Sequence, residues 1–297
     1  MIPCRTDLAA RRLPMPPETL DILSEFRERA LAEGIPPDDI ARWTDLARPC
    51  AFLGTRGDGP VVGRLGGPLM LPADAPDPWC KLVATIDLAA LPAGATDLDL
   101  PADGHLLLFA DPDPDRIGVE NLGSALHIPV GTPVEERPVD LDPEWKNYPY
   151  ETDLPEGLLR LSTDVSLPYY TSVYDPGQPL HCVDHPEHPH ANELIEVWTE
   201  MPGEGIGLGL QLGGYAEDEH WAEDPSVAAG REAARAVARG ELPAPDTDVP
   251  PEDWVCLAQW VHGLDGLEMA FYSWSISRQD LAARRFDRVY ATMTWNP

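Results

Sequence analysis

The segment HCVDHPEHPHANELIEVW, residues 181–198, sets His181, His185, His188 and His190 close together with Cys182, Asp184 and Glu187. Imidazole and thiolate are ligand types that suit zinc and nickel, so Cys182, His185, His188 and His190, joined by Asp184 or Glu187, form a candidate metal site. Pro186 and Pro189 alternate with the histidines and favour an extended, polyproline-like path of about three residues per turn, on which His185 and His188 share a face. Structural metal sites usually draw their ligands from separated segments, and the chain offers no second segment to pair with this one. The residues therefore favour a solvated His-Pro loop leading into a strand over ANELIEVWTEM. No cofactor is expected, with zinc or nickel as the alternative.

Other chemistry can be tested in the same way. DPDPDR, Asp111 to Arg116, spaces three carboxylates as a calcium loop does, but Arg116 stands where that loop needs glycine and Leu122 where it needs a bidentate glutamate, which excludes an EF-hand. GEGIGLGLQLGG, residues 203–214, contains no GxGxxG window and no GK[ST], so it is not a phosphate loop of either familiar kind. Its glycines alternate with Ile206, Leu208 and Leu210, the pattern of a strand with one bare face over which a backbone or an aromatic ring can lie closely. No GxSxG elbow or reactive-thiol motif occurs. With 51 acidic residues any two carboxylates can be chosen as a pair, so a glycosidase-like pairing discriminates nothing.

Composition narrows the classes further. At 297 residues and 43% hydrophobic content the chain can bury a substantial core. The first fifteen residues lack the apolar run of a secretory signal, and no segment approaches the roughly 18 apolar residues of a membrane span, so a soluble, cytoplasmic protein with no membrane partner is expected. Cys4, Cys50, Cys80, Cys182 and Cys256 are odd in number and scattered, which argues for idle or buried thiols rather than disulfides. The formal net charge of -30 repels phosphate backbones and opposes nucleic-acid binding, while the same field attracts a basic protein partner.

The elements that must position these groups can be read from periodicity. ETLDILSEFRERALAEG, after Pro16 and Pro17, repeats apolar residues at helical spacing and ends at Gly34, and PPDDIARWTDLARP has the acids and prolines of a second helix. The short apolar runs KLVATIDL, GHLLLFAD, SALHIPV, LIEVWTEM, WVCLAQWV and EMAFYSWSI, bounded by turn formers, predict strands. Helices interrupt them at 226–242, which tolerates Gly230, and at 278–286. Trp254, Trp260, Tyr272, Trp274 and Trp295 favour a core in the second half over an aromatic binding face. The predicted fold is α+β: a helical N-terminal segment over 1–55, a first sheet-rich half over 56–200, and a second over 201–297 carrying the 226–242 helix, together one compact domain with mostly antiparallel strands.

A weak repeat links the halves: RLGGP at 64–68 with QLGGY at 211–215, LVATI with CLAQW, and GHLLLFA at 104–110 with GLEMAFY at 266–272. In order along the chain, VGRLGGPLMLP, LVATIDLAALP, LPADGHLLLFAD, GLQLGGYAEDEH and WVCLAQW followed by FYSWSISRQDLAARRFD resemble the YwqG-like bacterial domain of unknown function, from about Val61 to Phe286. The resemblance implies an α+β fold with a helical N-terminus and two related sheet-rich halves. It implies no established activity, substrate or catalytic residue, and only by gene neighbourhood of some relatives a toxin-neutralising role. Many relatives carry a His before QxGGY and a Gln some ten residues on, where this chain has Leu210 and His220; Thr85 stands for another Gln, whereas Gln259 is retained. Any shared ligand site would then comprise Gly66, Gly67, Thr85, Gly213, Gly214, His220 and Gln259, although paired glycines more often mark tight turns.

The expectation is a non-catalytic protein-binding module whose acidic surface engages a protein partner, with a basic toxin domain that it neutralises, an immunity role, as the candidate. The alternatives are an enzyme or small-ligand receptor with its site between the two repeats, and a metal-binding protein using the histidine segment.

Overall fold

The computed structural model describes residues 17–297 except 79, 112–116, 119, 138–153, 179–181, 202–208, 218–222, 246, 262–263, 265–266, 268–269 and 296–297. Two helices lead in. In α1 (Pro17–Ala32) Phe26 and Ala30 turn inward, and in α2 (Pro37–Thr44) Ile40 and Trp43 do so, with Asp38 and Asp39 in the first turn where the helix dipole favours negative charge.

Strands follow: β1 (Arg48–Gly54), β2 (Val61–Leu65), β3 (Leu69–Leu71), β4 (Lys81–Asp87), β5 (His105–Ala110), β6 (Gly123–Ile128), β7 (Glu135–Arg137) and β8 (Gly157–Ser166). Then come β9 (Ser172–Tyr174), β10 (Cys182–Asp184), helix α3 (Ala191–Thr199), β11 (Gly209–Gly213), helix α4 (Pro225–Arg239), β12 (Trp254–Val261), β13 (Phe271–Ser277), helix α5 (Arg278–Ala282) and β14 (Tyr290–Thr294). Among the described residues ten strands form one antiparallel sheet in the order β14-β13-β12-β11-β1-β8-β2-β4-β5-β6. Two four-stranded meanders thus flank a central β1–β8 pair. β1 precedes the first meander in sequence but pairs with β11 of the second, and β8 precedes the second but pairs with β2 of the first.

The sheet curls until its ends meet, close to a barrel. Leu122 N–H donates to Ala291 O at 3.0 Å, the Asn121 carboxamide accepts from Ala291 N–H at 2.8 Å, and Trp274 Nε1 donates to Phe109 O at 2.9 Å. Curling encloses a core that includes Leu53, Ile86, Leu106, Leu257, Trp260, Tyr272 and Trp274, all at most 1% exposed. Each side chain so buried contributes about 1.5–3 kcal/mol. The aromatic residues of the second half are therefore core, and Trp295 packs against it.

The outer face is covered in three places. α1, α2 and α3 pack over Val165, Leu167 and Tyr169; the β3–β7 ribbon covers Leu82, Leu107 and Phe109; α4 lies on Trp254 and Tyr290. No described helix is long and apolar enough to cross a membrane.

Two expectations need correction. ANELIEVWTEM is not a strand: Ala191, Leu194, Ile195 and Trp198 recur at helical spacing and are buried along one side of α3. The histidine segment is not a solvated polyproline path either. After β10 it closes a turn, His188 N–H donating to His185 O at 3.2 Å, and His188 is 5% exposed with its ring 5.1 Å from that of Trp43.

Candidate functional site

A cavity of about 170 Å³ opens where the lead-in to β1, the segment after β8, the start of α4, the start of β12 and the start of α5 converge. Arg48, Tyr170, Asp224, Trp254 and Arg278 contribute to its wall. Arg48 opens β1, opposite Ser166 at the end of β8. The guanidinium carbon lies 3.9 Å from the centre of the Tyr215 ring, and Tyr215 is fixed by donating its hydroxyl proton to Leu46 O at 2.9 Å. Burial pushes the Tyr215 phenol up to about 12, so it remains a neutral platform.

Asp97 organises the cationic side. Its backbone N–H donates to Pro49 O at 3.0 Å, and its Oδ1 accepts from Gly214 N–H at 2.9 Å. Its Oδ2 is buried without a hydrogen bond and lies 3.7 Å from both Arg48 Nε and Arg278 Nη2. One carboxylate therefore faces two guanidinium groups.

The acidic side comes from the start of α4. Asp224 caps that helix, its Oδ1 accepting from Ser226 N–H at 2.8 Å, and it is 9% exposed. Burial raises its carboxyl pKa, with Arg48 acting against the rise. Glu223 bridges by its backbone to Ser172 and neutralises its side chain on Arg231, which in turn lies over Tyr174.

The expected site residues distribute unevenly around this cavity. Gly213 and Gly214, with φ of 68° and 71°, form the turn against Asp97; a Cβ on Gly213 would stand 2.8 Å from Asp97 Oδ1 and one on Gly214 2.8 Å from Ser166 Cβ. Their glycine identity thus serves close packing behind Arg48 and Asp97. Gln259 is fully buried and braces the same turn: its Oε1 accepts from Glu217 N–H at 2.8 Å, and its Nε2 donates to Glu217 O and Ser273 Oγ, each at 2.8 Å. Gln211, opposite Gln259, donates to Gly213 O and Tyr215 O, each at 2.9 Å.

Gly66, Gly67 and Thr85 belong to the other meander and do not line the cavity. Gly67 leaves room for the Arg64 guanidinium, and Thr85 sits opposite Arg64. His220 lies outside the described residues. Arg48, Asp97, Tyr170, Asp224 and Arg278 escape sequence reasoning because no local spacing links them; the Asp-Pro-Ser cap at 224–226 is the one legible signal.

The histidine segment makes a different arrangement. His185 and His188 do share a face, ring centres 4.3 Å apart, but that face is turned onto Trp43. His190 lies instead between Asp39 at 3.4 Å and Glu193 at 3.5 Å, and Cys182 sits in β10 beside Tyr174. Among the described residues no three His, Cys, Asp or Glu side chains gather as a metal site. Cys50, Cys80 and Cys256 are buried, and Cys182 is partly exposed. Gly209, at the start of β11, has the Phe52 ring over it, as the bare-faced strand predicts.

No curated protein matches the chain. A family model does, over residues 63–295, under the description "Domain of unknown function (DUF1963)". That span includes the second meander, the first from within β2 onward, and all of the cavity wall except Arg48, so the chain belongs to the DUF1963 family of domains of unknown function.

Proposed function

We propose that the chain is a non-catalytic receptor module for a small polar molecule held in the Arg48–Asp224 cavity. The observation that carries this reading is a cavity of about 170 Å³ walled by charged groups of both signs, Arg48 and Arg278 with Asp224 and Glu252, in which the two guanidinium groups share the single carboxylate of Asp97. Burying charge costs free energy unless it is matched, and a ligand able to match it would recover that cost on binding. The wall supplies cations, carboxylates and aromatic surface; the Cys256 thiol, in β12, is held well above its usual range by burial and is no ready nucleophile.

Both halves of the chain contribute. Tyr170, Ser172 and Tyr174 come from 56–200, whereas Asp224, Trp254 and Arg278 come from 201–297, and Arg48 precedes both. We infer further that the meanders descend from one duplicated unit of YwqG-like type. Supporting this, Arg64 faces Thr85 as Gln211 faces Gln259, and the register shifts between Leu82 and Ala84 as it does between Cys256 and Ala258. Leu107 faces Thr85 where Ser273 faces Gln259, so on this reading 104–110 corresponds to 270–276 and not to 266–272.

A thermal-shift screen of small polar metabolites tests the receptor reading. A compound that raises the melting temperature of the wild type but not of Arg278→Gln carries it, and a screen in which nothing shifts the wild type sinks it. A second reading, capture of a basic protein such as a toxin domain by the acidic surface, rests on the net charge of -30.

A further inference from the structure

We infer that the cavity takes a free α-amino acid, its carboxylate on Arg48 and Arg278 and its ammonium on Asp224; this rests on the receptor reading above. Two cations share one side of the cavity with one buried carboxylate, since Asp97 Oδ2 lies 3.7 Å from each guanidinium. A second carboxylate, brought by the ligand, balances that side, and guanidinium is the group best shaped to hold it. The other side has the opposite need. Glu223 is neutralised by Arg231, but Asp224 is bonded to Ser226, a neutral residue of its own helix cap, and the exposed Glu252 stands nearby.

Arg48 does not close the gap itself: it is ion-paired with Asp97 and not with Asp224, although the two charges influence each other. Space for a ligand therefore separates groups of opposite sign. Its size also fits, because a cavity of about 150 Å³ accommodates a benzene-sized molecule. Tyr170 and Trp254 offer ring surface to the ligand's side chain.

Isothermal titration calorimetry of the full chain at low salt and neutral pH, with each of the twenty standard amino acids, tests the assignment. The tightest binder is then compared with its amine lacking the carboxylate and its acid lacking the amino group. Each singly charged analogue is expected to bind at least about 10-fold more weakly. Asp224→Asn retains the helix cap, since Asn caps about as well as Asp, and should erase the preference over the acid lacking the amino group. Arg278→Gln, at the partly exposed rim, should weaken the amino acid and that acid alike. Glu252→Gln serves as the second charge variant should Asp224→Asn fail to fold by circular dichroism.

Amino acids no tighter than their singly charged analogues would overturn the assignment, as would a preference unchanged in the charge variants. If no amino acid binds but another metabolite does, and Arg278→Gln weakens it, the assignment falls while the receptor reading stands. If nothing binds in either experiment, both fall.

Discussion

His185 and His188 illustrate how a side chain's neighbours set its chemistry. Both Nδ1 atoms are buried without a hydrogen-bond partner, and the rings pack edge to face with each other and with Trp43. Burial, followed by the repulsion of a charged His188, pushes His185 down to about 4; burial, followed by Arg42, lowers His188. A base whose folded pKa is depressed leaves the unfolded chain binding more protons, so stability is present above about pH 6.5 and is lost as pH falls toward 4. NMR titration of the ring protons should give His185 a midpoint near 4; a midpoint between 6 and 7 would refute this packing account. The melting-temperature advantage of the wild type over His185→Gln should shrink across the same interval.

Gln259 makes a second argument at this scale. Removing its carboxamide deletes three buried hydrogen bonds, two to the Glu217 backbone and one to Ser273, and Gln259→Ala should cost about 2–4 kcal/mol by chemical denaturation. A loss under 0.5 kcal/mol would mean that the turn at 213–217 does not depend on it. Sequence spacing reveals that His185 and His188 share a face, but not that Trp43 occupies it. Gln259 is singled out by the family resemblance as a retained polar position. Its role as a brace is not legible, because the loop it holds lies far away in the chain.

Among the elements, most strands and the helices α1, α2 and α4 are legible because their periodicity and their stop signals agree. α3 is the instructive exception. Ile195, Val197 and Thr199 carry strand propensity, yet Ala191, Leu194, Ile195 and Trp198 bury a continuous side, with Phe26 of α1 packing edge-on to Trp198 at 5.6 Å. Tertiary burial outweighs the weaker local preference. Gly230 sets the same two forces against each other within α4. Replacing a helix-interior glycine by alanine gains up to about 1 kcal/mol of helix propensity. Here, however, the new Cβ would meet Trp254 Cδ1 at 2.7 Å and Cγ at 2.8 Å, and such overpacking costs about 1–3 kcal/mol. Gly230→Ala should therefore lower stability by about 1 kcal/mol, read by urea denaturation, and should disturb ligand binding because Trp254 lines the cavity. A gain equal to the propensity term would show that α4 can shift away from β12 freely.

At the scale of the whole molecule, the central pairing of β1 with β8 and the meeting of β6 with β14 are invisible to local patterns. So is the cavity, whose charged groups converge from residues 48, 223, 224, 252 and 278. What the sequence does make legible globally is charge. An excess of 51 acids over 21 bases leaves a formal charge of -30 on a compact body, and several arginines are already committed to ion pairs with nearby carboxylates. Like charges repel more strongly in the compact state than in an expanded chain, so screening favours the fold. The screening length falls from about 30 Å at 0.01 M salt to about 8 Å at 0.15 M. Melting temperature should consequently rise by several degrees between these conditions, and similarly in sodium and potassium chloride, because screening depends on ionic strength and not on cation identity. A flat or falling profile would show that the surface acids do not act as a collective field. The same screening weakens any capture of a basic partner, so a complex lost on adding salt would dissociate from a chain that is growing more stable, and unfolding could not account for its loss.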